Sequence, residues 1–167
     1  MNIQKPLIHI LWTTFDTLPV WNKNGNWDEF AKKYQILKEN KIDFTTSHKH
    51  YSKYNNQIGK PTTRFLSDKA IIKLEADILN LTKPNADRII NELNIVHIKI
   101  TNVFVEILLF SDELDINQKI ARLKSRTATL LHFSFPEEFL GKKTWSKGYW
   151  QSTFKKNQKL ALNILNK

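Results

Sequence analysis

Two strand-like stretches set almost back to back constrain this chain more than any other feature. Asn94–Thr101 and Val103–Phe110 are rich in Ile, Val and Phe and meet around Thr101–Asn102. So short a connection permits an antiparallel pair and excludes a parallel crossover, which needs a dozen or more residues. A lone hairpin is marginal in water, so its apolar faces require further strands or helices. The rest of the chain supplies both. Residues 6–14, Pro-Leu-Ile-His-Ile-Leu-Trp-Thr-Thr, read as a buried strand, and Trp145–Phe154 reads as a final one. Asn26 is placed to cap a helix running to about Lys38, with Phe30, Tyr34 and Leu37 on one face. Ser67 is placed to cap a second helix to Leu81, with Ile71, Leu74, Ile78 and Leu81 inward. Pro84 interrupts that pattern, and a short helical piece is expected through Leu93. Asp115 is placed to cap a third helix with the stripe Ile116, Ile120, Leu123, Thr127 and Leu130, and a short Lys-rich helix follows the last strand. This order predicts an α+β fold, an antiparallel sheet with helices packed against it, in a single domain over 1–167.

Residues 39–64 are polar and without sustained period, which predicts a long loop carrying Lys49, Tyr51, Lys53, Tyr54, Lys60 and Arg64. The longest apolar run, Ile107 to Phe110, falls far short of the roughly 18 residues of a membrane span. With no cysteine the chain has no disulfide and no thiolate chemistry. These features predict an intracellular, cytoplasmic protein without a membrane partner.

Charge separates the chain into two parts. Residues 1–116 hold 15 basic and 14 acidic side chains, whereas 117–167 hold 11 basic and two acidic, Glu137 and Glu138. A Lys-rich composition alone would raise Lys throughout and would not strip acids from one part. The asymmetry predicts a polyanionic partner, nucleic acid before membrane. The candidate contacts are Lys119, Arg122, Lys124 and Arg126 on the third helix, with Lys142, Lys143, Lys147, Lys155 and Lys156 after it. Trp145 is a candidate for stacking on unpaired bases. Lys119, Arg122 and Arg126 fall within about two helical turns and are expected to present to one side. Alternation places Trp145 and Tyr149 on one face of the last strand and Trp150 on the other.

Three segments together resemble one family: Leu123-Lys124-Ser125-Arg126 through Leu131, Phe135-Pro136-Glu137, and Trp145-Ser146-Lys147-Gly148-Tyr149-Trp150-Gln151-Ser152-Thr153. The opening Leu11-Trp12-Thr13-Thr14-Phe15-Asp16-Thr17-Leu18-Pro19 adds to them. In this order they are similar to the single-tyrosine HUH transposases of the insertion sequence 200/605 family and the REP-associated tyrosine transposases. The resemblance implies a ferredoxin-like antiparallel sheet, often in a dimer, that binds DNA hairpins and nicks single-stranded DNA. It implies two histidines two apart on a central strand, holding a divalent cation that polarises the scissile phosphate. It also implies a tyrosine on the C-terminal helix as nucleophile.

The chain departs from that pattern at both places. Counted along the family's spacing, the histidines would fall at Val103 and Val105, and the nucleophile near Leu165, where 157–167 hold no tyrosine. Neither valine can ligate a metal, so no cofactor is expected unless a divalent metal is held elsewhere. His48-Lys49-His50, Glu106, His97 and Tyr149 are weak substitutes, and His9 and His132 read as structural. The expectation is a catalytically inactive relative that binds single-stranded or hairpin DNA, with RNA possible, as a homodimer or a subunit of a nucleoprotein complex. The alternatives are an active metal-dependent nickase with a rebuilt site and a purely structural or dimerising subunit.

Overall fold

The computed structural model describes residues 4–15, 27–48, 65–90, 93–139 and 141–167. The proposed Asn26 cap, and Lys49 to Arg64 with their His50, lie outside the described residues. The strands are β1 (Leu7–Thr13), β2 (Thr45–His48), β3 (Asn94–Ile100), β4 (Phe104–Phe110) and β5 (Trp150–Phe154). The helices are α1 (Trp27–Glu39), α2 (Asp68–Leu81), α3 (Ile116–Ser134), α4 (Pro136–Phe139) and α5 (Gln158–Leu165). The sheet is antiparallel in the order β2-β5-β1-β4-β3. Leaving β2 aside, β1-α2-β3-β4-α3-β5 with β1 and β4 in the middle is the ferredoxin-like arrangement. β2 extends its edge beyond β5, so the polar 39–64 stretch begins with a strand that its Thr-Thr-Ser-His sequence does not announce.

Both faces of the sheet are covered, and alternation along the strands divides the core in two. Ile8, Ile10 and Trp12 of β1 and Val105, Ile107 and Leu109 of β4 pack under α2 and α3, with Leu74, Ile78, Ile120 and Leu123. Leu7 and Leu11 of β1 and Phe104 and Leu108 of β4 pack under α1 and α5, with Phe30, Leu37, Ala161 and Leu165. A strand buried on both faces reads as a continuous apolar run, as β1 and β4 do.

Local signals set the boundaries of the elements. The Ser67 side chain accepts from the Ala70 amide and starts α2, satisfying one of the amide groups that a helix leaves unpaired. Asp115 starts α3 in the left-handed region without a side-chain cap. Residues 82–90 form turns, not the expected helical piece, and Asp87 holds them by accepting from the Ile89 and Ile90 amides. The hairpin turn is held by Thr101, whose Oγ1 accepts from the amides of Val103 and Phe104. Regular pairing of the last strand starts only at Trp150, with Trp145 making an isolated bridge to Thr14. Trp145 and Tyr149 nevertheless join the α2/α3 side and Trp150 the α1/α5 side, as alternation required.

Candidate nucleic-acid interface

The C-terminal basic residues are sorted by their neighbours into scaffold and surface. After α4 the chain reverses at Gly141, whose φ of +71° suits a residue without a Cβ. It then runs back along α3. The Trp145 indole lies edge-on to Trp12, with ring centroids 5.9 Å apart. Its Nε1 donates to the Lys124 carbonyl at 3.0 Å and to Thr127 Oγ1 at 3.3 Å. Lys124 in turn donates to the carbonyls of Ser146 at 2.8 Å and Gly148 at 2.6 Å, and burial pushes its pKa down to about 8. Lys124 and Trp145 therefore pin this segment to α3, and neither side chain is disposed to reach a phosphate or to sandwich a base.

What remains is a shallow groove between α3 and the returning segment. Ser125, Ala128 and His132 line one wall, and Lys142, Lys143 and Lys147 line the other, with no carboxylate among the described lining residues. His132 is fixed by Nε2 to Thr144 Oγ1 at 2.9 Å and by stacking on Phe139. The three lysines are exposed, and the Lys143 ammonium lies 5.6 Å from the Phe15 ring centroid. Such a strip of cations beside a small-residue helix face suits a phosphate backbone.

The other predicted contacts do not join it. Lys119 is buried, so it shares no solvent-facing side with the two arginines. It lies one turn before Leu123, on the part of α3 that faces α2 and the sheet. Arg122 Nε bonds Asp87 Oδ2 at 3.3 Å, and Arg126 Nε lies 4.0 Å from the same oxygen. The amides of Ile89 and Ile90 and the Arg122 guanidinium hold the Asp87 carboxyl below its usual range. The two arginines thus tie the 82–90 turns to α3. Lys155 pairs with Glu113 at 3.0 Å, and it and Lys156 follow Phe154, which is opposite Leu7. Trp145 is opposite Thr14, seven residues along β1, so these lysines stand about 23 Å from the groove, at the other end of the sheet.

The α1/α5 side carries a buried polar cluster that residue patterns did not reveal. His9 of β1 sits with Nε2 at 2.8 Å from Glu106 Oε1 of β4 and Nδ1 at 2.7 Å from the Tyr34 hydroxyl. Tyr34 donates to Ser152 Oγ at 2.7 Å, and the Trp150 indole donates to Ser152 Oγ at 2.9 Å. Lys33 approaches Glu106 at 3.8 Å and donates to the Leu165 carbonyl at 2.8 Å. Burial alone would raise the Glu106 carboxyl, but the hydrogen bond and charge of His9, with Lys33 and Lys99, hold it below its ordinary value. Burial raises Tyr34 and lowers the half-buried His97. His9 stands in an apolar run and Tyr34 at a core spacing. Their helical and strand periods point both into one core, and that was the only available signal.

Val103 and Val105 do not form the expected pair on one strand face. β4 begins at Phe104; Val103 lies in the turn and packs on the α1/α5 side, whereas Val105 is buried under α2 and α3. Alternation does not carry through a turn. On the α1/α5 side Glu106 is committed to His9 and Lys33, and among the described residues no three His, Asp or Glu side chains cluster as metal ligands would. These residues do not fit the divalent cation that the resemblance implies. Tyr149 is likewise held, by Asn117, and burial raises its hydroxyl to about 12.

No protein-family model matches the sequence, and no curated protein is similar to it. Among solved structures, a protein of Deinococcus radiodurans R1 provisionally described as a transposase aligns with 98% of this chain and 90% of its own, with a TM-score of 0.51. The architecture matches that of this neighbour. At 14% identity the likeness is one of fold alone. No described helix is long and apolar enough to cross a membrane.

Proposed function

We propose that the chain is a transposase-derived nucleic-acid-binding protein that grips single-stranded or hairpin DNA in the groove between α3 and residues 142–147. The observation that carries this reading is the run of three exposed lysines on a groove wall with no carboxylate among its described residues, in the part of the chain stripped of acids. Lys142, Lys143 and Lys147 neutralise backbone phosphates, and His132, Ala128 and Ser125 form the surface that the strand lies along. The reading excludes strand transfer. The two positions expected to hold a metal are valines, one of them in the turn before β4, and α5 carries no tyrosine.

Fluorescence anisotropy of a labelled DNA hairpin over a series of salt concentrations tests it. Lys142→Ala with Lys143→Ala and Lys147→Ala should weaken binding at least tenfold. The log–log salt slope should fall by about 2, since each lost single-strand phosphate contact removes about 0.7. Lys155→Ala with Lys156→Ala should leave both nearly unchanged. The opposite pattern would move the interface to the far end of the sheet. A protein–DNA adduct on a denaturing gel would overturn the exclusion of strand transfer.

A further inference from the structure

The chain enters α5 through Lys155-Lys156-Asn157, and an open cleft lies at the start of that helix. Lys155, Lys156 and Lys159 line it with the Gln158 side chain, and no carboxylate stands among the described lining residues. Lys155 is engaged by Glu113 at 3.0 Å, which leaves Lys156 and Lys159, both exposed, as the cations available to an incoming anion. The first intrahelical bond runs from the Ala161 amide to the Asn157 carbonyl, and Asn157 provides no side-chain cap. The amides of Gln158, Lys159 and Leu160 are therefore the unpaired donors of the helix start, where the helix dipole is positive. Such a terminus alone attracts any anion. Gln158 adds a requirement that most anions do not meet. It is 7% exposed, and its Nε2 donates to the carbonyls of Lys5 and Phe154, both at 3.1 Å. A flipped amide would set Oε1 against those two carbonyl oxygens, so its orientation is fixed. Oε1 is turned away from them and has no hydrogen-bond partner among the described residues. A buried acceptor without a donor is costly and calls for a ligand that supplies one.

We propose that this cleft binds inorganic phosphate, with the anion's own proton donated to Gln158 Oε1. The first amides of α5 and the Lys156 and Lys159 ammoniums take the unprotonated oxygens, and the P–OH group satisfies the Gln158 oxygen. That acceptor decides between oxyanions of the same shape. Inorganic phosphate retains at least one proton throughout the neutral range. Sulfate has none there, and a phosphate monoester loses its last proton above about pH 6. Either would press a bare oxygen against Oε1. The phosphodiesters of a nucleic-acid backbone carry no proton either, so the cleft is a site for a small ion and not an extension of the DNA-binding groove. Two ammoniums and one short helix hold the ion modestly, with a dissociation constant on the order of 0.1–1 mM. The proposal is independent of the nucleic-acid reading, and its test uses no DNA.

Amide chemical-shift titrations of the full isotope-labelled chain, at about pH 7.5 and a constant ionic strength of about 0.15 M, test it. Sodium phosphate should shift the Gln158, Lys159 and Leu160 amides saturably. Its affinity should be at least tenfold above those of sodium sulfate and methyl phosphate, the worth of one hydrogen bond to a charged group. Lys156→Ala with Lys159→Ala should weaken phosphate binding at least tenfold. Gln158→Met should bring phosphate down to the affinity of sulfate and leave sulfate unchanged. Melting curves by circular dichroism report whether each variant is folded, and the preference of the parent chain decides the proposal without them. Equal affinities for phosphate and sulfate, or for phosphate and methyl phosphate, overturn it, since the helix start and the lysines would then account for all binding. So does the absence of a saturable shift at these three amides up to about 20 mM phosphate. A phosphate preference that survives in folded Gln158→Met overturns it as well.

Discussion

The His9–Glu106 pair offers a measurement of what a buried ion-paired cluster contributes to this fold. Glu106→Leu leaves the His9 Nε2 facing a methyl group, and Lys33, 3.8 Å from the lost carboxylate, without its acidic partner. Breaking a buried pair from one side costs about 3–5 kcal/mol, because the remaining group stays desolvated and unpaired. His9→Leu leaves the carboxylate with Lys33 alone and should cost a similar amount. Both together replace the pair by apolar side chains against Leu11, Phe30 and Leu108, a change that is often nearly neutral. The double variant should therefore recover at least about 3 kcal/mol relative to the sum of the singles. With a urea m-value of about 2 kcal/mol/M, each single variant lowers the midpoint by roughly 1.5–2.5 M. The acid limb provides a second reading. The folded Glu106 carboxyl lies below its ordinary 4.5, so its contribution is present above that value and is lost as pH falls through the lowered one. Glu106→Gln should flatten the acid limb of the stability profile there. Single variants that add to within about 0.5 kcal/mol would refute the coupling and with it the account of the cluster.

Asp87→Asn should lower the melting temperature by several degrees, since it weakens the anchoring of Arg122 and of the Ile89 and Ile90 amides. The contribution of Asp87 is present above its ordinary carboxyl pKa and fades as pH falls below it, so urea midpoints of parent and variant should converge at low pH. Lys124 is depressed from 10.5 to about 8, so between those values the unfolded chain binds a proton that the folded chain has released. Its share of stability therefore rises with pH across that window, by on the order of 3 kcal/mol, and Lys124→Met should remove that slope from a denaturation series.

The parts of this fold that repeat along the chain were legible in its sequence. Leu74, Ile78 and Leu81 on α2, Ser67 at its cap, and the opposed faces of Tyr149 and Trp150 follow from periods of 3.6 and 2 and from one hydrogen bond. Where period ended, so did legibility. Val103 lies one residue before its strand, and that residue decides which core it enters. Charge was legible as a total and not as a location. Lys119, Arg122, Lys124 and Arg126 belong to one basic helix by composition, yet burial, Asp87 and two carbonyl groups claim all four. The His9–Glu106 contact joins residues 97 apart, and only the pairing of β1 with β4 brings them together.

The seating of β1 governs how the molecule is made. This strand is made before the other four described strands and lies in the middle of the sheet, between β4 and β5, with Leu7 opposite Phe154. At about 5–20 residues per second, some 7–30 s separate synthesis of these two partners. Through that interval Leu7, His9 and Leu11 have no β5 beside them, and α5, which roofs them, does not exist. Contacts of such long sequence separation form slowly, and exposed apolar strands attract other chains meanwhile. Until β5 (Trp150–Phe154) and α5 (Gln158–Leu165) are made, one side of β1 is open, and their arrival completes the sheet and its α1/α5 cover.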